Sequence, residues 1–200
     1  MGRAAYTQGD GGQLAPVARG GLGKLTQQLP VPVRVDPDTG EWSVDGIPMI
    51  LVPRHFFVNN VKAVERLVGN ETSGNLFREP GDRSAREWCA KEAVTHDLSG
   101  AEVFRHYMMR LSQRGWGQFT VQELNLAAGH ARVRVDNSVF AAEHGSGTGR
   151  KVCYMFEGWM EGALGYVEES DRQLRCQEIQ CVAAGAEYCL FEVAPAETES

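Results

Sequence analysis

Three of the chain's five cysteines lie close together near the C-terminus, in the stretch CQEIQCVAAGAEYC. Cys181 and Cys189 flank a glycine-containing turn, and a hairpin there brings both thiols to one point. Glu178 lies just before Cys181, and Cys153 lies near the start of a glycine-rich segment with helical spacing. Thiolates with a carboxylate suit zinc, a borderline-soft ion without redox chemistry. The pattern predicts a metal site formed by Cys153, Glu178, Cys181 and Cys189.

A closed shell of four protein ligands is typical of a structural zinc, because a catalytic zinc keeps one position for water. Two alternatives remain open. Dissociation of Glu178 would create an open position for chemistry, or the thiols are metal-free core residues, as free cysteines commonly are. On a regular strand Cys176 faces the same side as Glu178, whereas Cys181 faces the other. A bulge or strand end between Glu178 and Cys181 resolves this conflict; otherwise Cys176 is a spare thiol or a rival ligand.

The elements that must position these ligands are predicted from apolar periodicity. Alternation predicts strands in VPVRV, EWSVDGIPMILV, QFTVQELNLA, ARVRVDNSVFA, RQLRCQEIQCVA and YCLFEVA. Helical spacing predicts helices in FFVNNVKAVERLVG, DRSAREWCAKEAVTH, GAEVFRHYMMRLSQRG and KVCYMFEGWMEGALGYV. Ser99 is the expected N-cap of the third helix, with Glu102 completing a capping box. The mixed order predicts an α+β fold with an antiparallel sheet and helices packed on one side.

Composition and length predict a globular domain with an N-terminal extension. The 200 residues are 42% hydrophobic and 23% charged, with a net charge of −6. We expect a flexible arm over 1–29, a strand and helix segment over 30–94, the metal-binding domain over 95–193 and a loose tail over 194–200. No clustered Lys or Arg predicts a nucleic-acid surface, and no apolar run reaches the ~20 residues of a membrane helix. Because the N-terminus lacks the apolar core of a signal peptide, we expect a cytoplasmic protein.

No sequence signature predicts catalysis. The stretch GSGTGRK lacks the spacing of a phosphate-binding loop, and neither a G-x-S-x-G elbow nor an H-E-x-x-H motif is present. We therefore expect no catalytic residue in this chain. A cavity for a small apolar ligand is a further hypothesis, although a core stripe at helical spacing explains most of the same side chains. Its candidate lining residues are Phe104, Tyr107, Met108, Trp116 and Trp159.

The stretch VCYMFEGWMEGALGYV, followed by CQEIQCVAAGAEYCLFEV, resembles the 4-vinyl-reductase-type domain. In that family a cysteine opens a glycine-rich helix, followed by E-x-x-C, a glycine-bearing turn and a C-x-F strand. The matching positions here are Cys153, Glu178, Cys181, Gly185, Cys189 and Phe191. The stretches MRLSQRGWGQFTV and VRVDNSVFAAEHG extend the resemblance over roughly residues 95–193. The segment GEWSVDGIPMILVPRHFFVNN resembles the one found before such domains in bacterial stand-alone members.

The resemblance implies a TRAPP-like fold that carries structural zinc. The family includes the sensor domains of phenol- and xylene-responsive transcription activators, and most members are not convincingly reductases. In the phenol sensors a His and a Trp hold the aromatic ligand, but the segment that carries this Trp reads VRVDNSVF here.

Related proteins accompany flavoenzymes that demethylate amines such as dimethylglycine. We therefore expect a non-catalytic zinc-binding accessory subunit of a bacterial catabolic enzyme. The alternative is a stand-alone sensor or binding module for a small apolar or aromatic ligand. The expected partners are the larger enzyme or a second copy in a homodimer.

Overall fold

The computed structural model describes residues 29–168 and 172–196. The predicted arm over 1–29 lies outside these ranges except for its last residue, and so does the 197–200 part of the predicted tail. The chain begins with β1 (Val33–Val35), β2 (Trp42–Val44), β3 (Ile47–Met49), α1 (Arg54–Val68), α2 (Asn70–His96) and α3 (Ala101–Gln113). It continues with β4 (Gln118–Asn125), β5 (His130–Asp136), α4 (Val139–His144), α5 (Tyr154–Val167), β6 (Leu174–Gln180), a 3-10 turn (Val182–Ala184) and β7 (Cys189–Pro195).

Two antiparallel sheets organise these elements. The small sheet has the order β1-β2-β3, and the larger sheet has the order β4-β5-β7-β6. Along β5, Ala131, Val133 and Val135 are buried while the residues between them are half-buried, so one sheet face packs on the core and the other meets solvent. Residues of α3 and α5 complete that core. The predicted α+β class with an antiparallel sheet is confirmed.

Helices α2 and α5 cross at a distance that only glycine permits. A Cβ on Gly158 would overlap the carbonyl of Arg78, and a Cβ on Gly162 would overlap the carbonyl of Asp82. Removing side chains along one helix stripe lets the neighbouring backbone approach closely. The glycine spacing of the sequence therefore marks a helix crossing, and this crossing fixes α5 beside the larger sheet.

Three local predictions differ from the structure. The second helix was expected to begin near Asp82, but α2 begins at Asn70 and contains Pro80, because packing on α5 outweighs the missing donor. The N-cap of α3 is Gly100 rather than Ser99, and no side chain caps that end. The expected strand ARVRVDNSVFA ends at Asp136, and Ser138 then caps α4 by accepting from the Ala141 N–H.

No helix in the described ranges combines the length and the hydropathy that crossing a bilayer requires.

Candidate metal centre

The hairpin of β6 and β7 carries three of the four predicted ligands. Glu178 is near the end of β6, Cys181 follows it, and Cys189 opens β7. The pairing of β6 with β7 shifts register between Glu178 and Gln180, which marks a bulge. A bulge adds one residue to a strand and so changes the side to which the following residues point. The bulge expected between Glu178 and Cys181 is confirmed.

Helix α5 brings the fourth ligand to the hairpin. Cys153 is the N-cap residue of α5, and its backbone N–H donates to Glu178 Oε2 over 3.1 Å. The Ser138 hydroxyl, at the start of α4, lies 3.2 Å from Cys153 Sγ. The first turn of α5 is thereby fastened to β6 by the same carboxyl group that was predicted as a ligand.

The four donor atoms form one buried cluster. One ligand atom from each of Cys153, Glu178, Cys181 and Cys189 lies within 4.8 Å of every other. Cys189 Sγ is 3.9 Å from Cys153 Sγ and 3.8 Å from Cys181 Sγ, and all five cysteines of the chain are free thiols. None of the four residues is more than 1% exposed. The fold brings together the whole predicted ligand set in a buried site.

Glu178 has an oxygen that is buried without a partner. Its Oε2 accepts from Cys153, whereas Oε1 has no hydrogen-bond partner among the described residues. Burial raises the pKa of this carboxyl group to about 9, and the neighbouring Cys181 thiolate acts in the same direction. A buried carboxylate without a counter-charge is costly, and a bound cation removes that cost. The unpartnered Oε1 is the observation that fits a metal best.

The thiols differ in their readiness to ionise. Hydrogen bonds from Cys153 and Cys189 stabilise the Cys181 thiolate and lower its pKa, whereas burial raises the pKa of Cys153. The Val182 backbone N–H also points at Cys189 Sγ over 3.5 Å. One thiolate surrounded by donors already exists in this cluster, so a soft cation finds an anionic sulfur when it enters. The cluster has the donor set to hold a metal ion.

Comparison with known families identifies the part of the chain that holds this cluster. Residues 131–195 match the family model of the 4-vinyl-reductase-type domain. The chain carries a 4-vinyl-reductase-type domain. Residues 27–122 match a second family, described as a domain of unknown function, DUF5943. All four donor residues lie inside the 131–195 match, so the candidate metal centre belongs to the 4-vinyl-reductase-type domain.

Solved structures with related folds include sensory and trafficking proteins. The phenol-responsive sensory domain of the transcription activator PoxR, solved with phenol, superposes with a TM-score of 0.71 at 19% identity, covering 82% of this chain and 84% of that one. A vinyl-4-reductase family protein from Methanocaldococcus jannaschii gives a TM-score of 0.49 at 15% identity, covering 74% and 85%. A trafficking protein particle complex subunit 3 from Naegleria fowleri, covalently bound to palmitic acid, gives 0.48 at 11% identity, covering 72% and 95%. No curated protein sequence matches the chain.

Cys176 and Cys89 lie outside the donor cluster. Cys176 is on the buried face of β6, and burial raises its pKa well above the usual value. Its backbone N–H donates to Glu161 Oε2 over 2.9 Å, so this part of the strand is held by α5 rather than by a metal. Within the 4-vinyl-reductase-type domain Cys176 is therefore a spare core thiol. Cys89 is buried on α2.

The five residues predicted to line a ligand cavity lie at the junction of α3 and α5. Phe104, Tyr107 and Met108 are buried on α3. The half-buried ring of Trp116 contacts Trp159 of α5 edge-on, with centroids 4.8 Å apart. A groove of about 570 Å³ between α3 and β4 is lined by Met108 and by none of the other four. The aromatic rings thus pack against one another, and Trp116 is where this cluster reaches solvent.

A second polar cluster was missed by the sequence reasoning. Arg110 of α3 donates to Glu92 Oε2 over 3.1 Å and to Asp45 Oδ2 over 2.6 Å. His106 Nε2 lies 2.6 Å from Glu92 Oε2, and the rings of His96 and His106 are 4.8 Å apart. The arginine supplies the positive charge at the point where the carboxylates meet, so this cluster fastens the small sheet to α2 and α3. The i,i+4 pairs Glu92–His96 and His106–Arg110 were its signal in the sequence.

Proposed function

We propose that this chain is a non-catalytic binding module whose 4-vinyl-reductase-type domain is held together by one structural zinc ion. The observation that carries the proposal is the closed, buried set of Cys153, Glu178, Cys181 and Cys189, in which Glu178 Oε1 has no partner among the described residues. A shell closed by four protein ligands has no position at which zinc can activate a substrate. The metal then serves the fold, and function resides elsewhere in the module.

The sulfur spacing supports zinc as the metal. Two Zn–S bonds of about 2.3 Å at a tetrahedral angle separate the sulfurs by about 3.8 Å. The distances from Cys189 Sγ to its two neighbours are 3.9 and 3.8 Å. Bound zinc would supply positive charge and fixed geometry, while the residues themselves clamp β6 and β7 onto the start of α5. Five free cysteines suit a reducing cytoplasm.

The aromatic cluster around Trp116 supports a small apolar or aromatic ligand. Trp116 is in contact with Trp159, and Phe57 of α1 packs edge-on against it with centroids 5.4 Å apart. Phenol in the PoxR sensory domain, which shares this fold, is a ligand of the same chemical class. The proposed ligand of this module binds beside Phe104, Tyr107, Met108, Trp116 and Trp159.

A role as accessory subunit is the second candidate, favoured by exposed aliphatic side chains near the small sheet. Ile50 and Leu51 are each 81% exposed, and Leu67 on α1 is 84% exposed. Apolar side chains grouped on a surface mark protein–protein contacts. The partner we propose is a larger bacterial catabolic enzyme, such as a flavoprotein that demethylates methylated amines. A homodimer is the other occupant of this surface.

One preparation of the natively expressed protein tests these proposals. We expect about one zinc per chain, lost together with the folded structure in Cys181→Ala and Cys189→Ala but retained in Cys176→Ala. A phenol-class probe that raises the melting temperature would favour the binding module, and a stoichiometric co-purifying enzyme would favour the accessory subunit. A metal-free protein that stays folded in both ligand variants would contradict the zinc centre.

A further inference from the structure

The free edge of β6 is closed by two carboxylates from α5. Strand β6 is at the edge of the larger sheet and pairs only with β7 among the described strands. The Glu178 backbone N–H donates to Glu157 Oε1 over 2.7 Å, and the Cys176 backbone N–H donates to Glu161 Oε2 over 2.9 Å. Four helical residues rise about 6.0 Å and two strand residues span about 6.6 Å, so the two spacings coincide.

The two carboxylates differ in what holds them. Glu157 forms an ion pair with Arg78 of α2, and the two side chains are only 9% and 14% exposed. The Arg78 Nε has no further partner among the described residues, so the guanidinium is committed to this contact. Glu161 accepts its bond in the same way one turn along, but the residue it holds is Cys176, which is not a ligand. Only Glu157 joins a buried charge on a third element to a proposed metal ligand.

We propose that Glu157 and Arg78 are positioning residues of the metal centre. The inference rests on the proposed zinc site. Glu157 fixes the backbone of Glu178, and Arg78 fixes Glu157, so that the Glu178 carboxyl group stays beside the three sulfurs while its Oε2 holds the Cys153 N–H. Neither residue belongs to the donor cluster. Outer partners of this kind orient the ligands, and losing one costs about 10- to 100-fold in metal affinity.

Cobalt binding to the apo-protein tests the inference, with a chelator competing for the metal. Thiolate-to-cobalt charge transfer reports the sulfur ligands, and the visible d–d bands report tetrahedral geometry. We expect Glu157→Ala to bind Co²⁺ about 10- to 100-fold more weakly and with altered d–d bands. The matched control, Glu161→Ala, removes the same kind of bond one helical turn away and should change the affinity less than about threefold.

A variant that keeps the acceptor separates positioning from loss of folding. Glu157→Gln retains an amide oxygen for the Glu178 N–H but loses the charge that faces Arg78, so its affinity should lie between wild type and Glu157→Ala. Circular dichroism of the apo and loaded forms checks that each variant is folded. Equal affinity and identical d–d bands in wild type, Glu157→Gln and Glu161→Ala would overturn the positioning role. Wild-type protein that binds no Co²⁺ would instead overturn the zinc site itself, and the inference with it.

Discussion

The Cys153 backbone N–H and the Glu178 carboxyl group are joined by a hydrogen bond of 3.1 Å to Oε2. This contact gives the two carboxyl oxygens different tasks. Oε2 fastens the first turn of α5 to β6, and Oε1, which has no partner among the described residues, is left for the metal. A single side chain therefore takes part both in the fold and in the proposed coordination.

Two substitutions at Glu178 separate these tasks. Glu178→Gln keeps an acceptor for the Cys153 N–H but lacks the anionic oxygen, so we expect a folded protein whose zinc affinity falls by more than the roughly 100-fold of an outer-shell change. Glu178→Ala removes both contacts and should also lower the melting temperature of the apo-protein. Chelator competition and thermal melting measure the two effects. Unchanged zinc affinity in Glu178→Gln would remove the carboxylate from the ligand set.

The crossing of α2 and α5 predicts opposite outcomes for two neighbouring glycines. In Gly162→Ala the new methyl group meets the backbone carbonyl of Asp82, which cannot move without shifting α2, so we expect a loss of about 3 kcal/mol of stability. In Gly165→Ala it meets only the end of the Arg86 side chain, which is 45% exposed and can swing away. Since alanine favours a helix by about 1 kcal/mol over glycine, this variant should be neutral or stabilised.

Urea unfolding at constant zinc concentration compares the two glycine variants. Equal destabilisation would show that helix contact, rather than the overlap with the α2 backbone, limits both positions.

Glu65 predicts an acid-sensitive attachment of α1. Burial alone would raise the pKa of its carboxyl group, but hydrogen bonds from Arg150, at 2.9 Å, and His144 outweigh burial and hold the pKa below its usual value. A carboxyl group with a lowered folded-state pKa contributes stability above its unfolded pKa of about 4.3, and loses it as the pH falls through the folded value. The stability difference between wild type and Glu65→Gln should be constant near pH 7 and shrink below about pH 4.3.

Thermal melting across this pH range, with both proteins in the same buffers, measures the effect of Glu65. The subtraction removes protonation of the metal ligands, which affects both proteins alike. A difference that grows as the pH falls would contradict the assignment.

Arg110 predicts a large cost on removal. In Arg110→Ala the carboxylates of Glu92 and Asp45 lose their shared guanidinium, and Glu92 is only 1% exposed, so we expect a loss of about 3–5 kcal/mol. The control is Arg105→Ala, because Arg105 is an exposed arginine on the same helix and should cost less than about 0.5 kcal/mol.

A second change tests whether the cost of removing Arg110 comes from unpaired charge. Adding Glu92→Gln to Arg110→Ala should recover part of the loss, because the buried negative charge is then absent. If the two losses simply add, packing rather than charge explains the effect of Arg110, and chemical denaturation of wild type, the two single variants and the double variant distinguishes the cases.

The larger sheet and the ligand set could be predicted because their determinants are local. The alternation along β5 and the glycine turn before Cys189 act over a few residues, and the bulge beyond Glu178 follows from strand geometry together with the requirement that Glu178 and Cys181 share one side. Ends of elements were less predictable. Tertiary packing moved the start of α2 to Asn70, and Ser138 capped a short helix where the sequence indicated a strand.

By itself, the sequence determined which residue types meet at the hairpin, because spacing along a strand and a turn fixes their relative positions. Only the tertiary structure decided what surrounds them. Arg78 and Glu157 are 79 positions apart, and Asp45 and Arg110 are 65 apart. Periodicity reports contacts within about one helical turn. Pairs so distant in sequence are brought together by the packing of whole elements, here the glycine-lined crossing of α2 and α5.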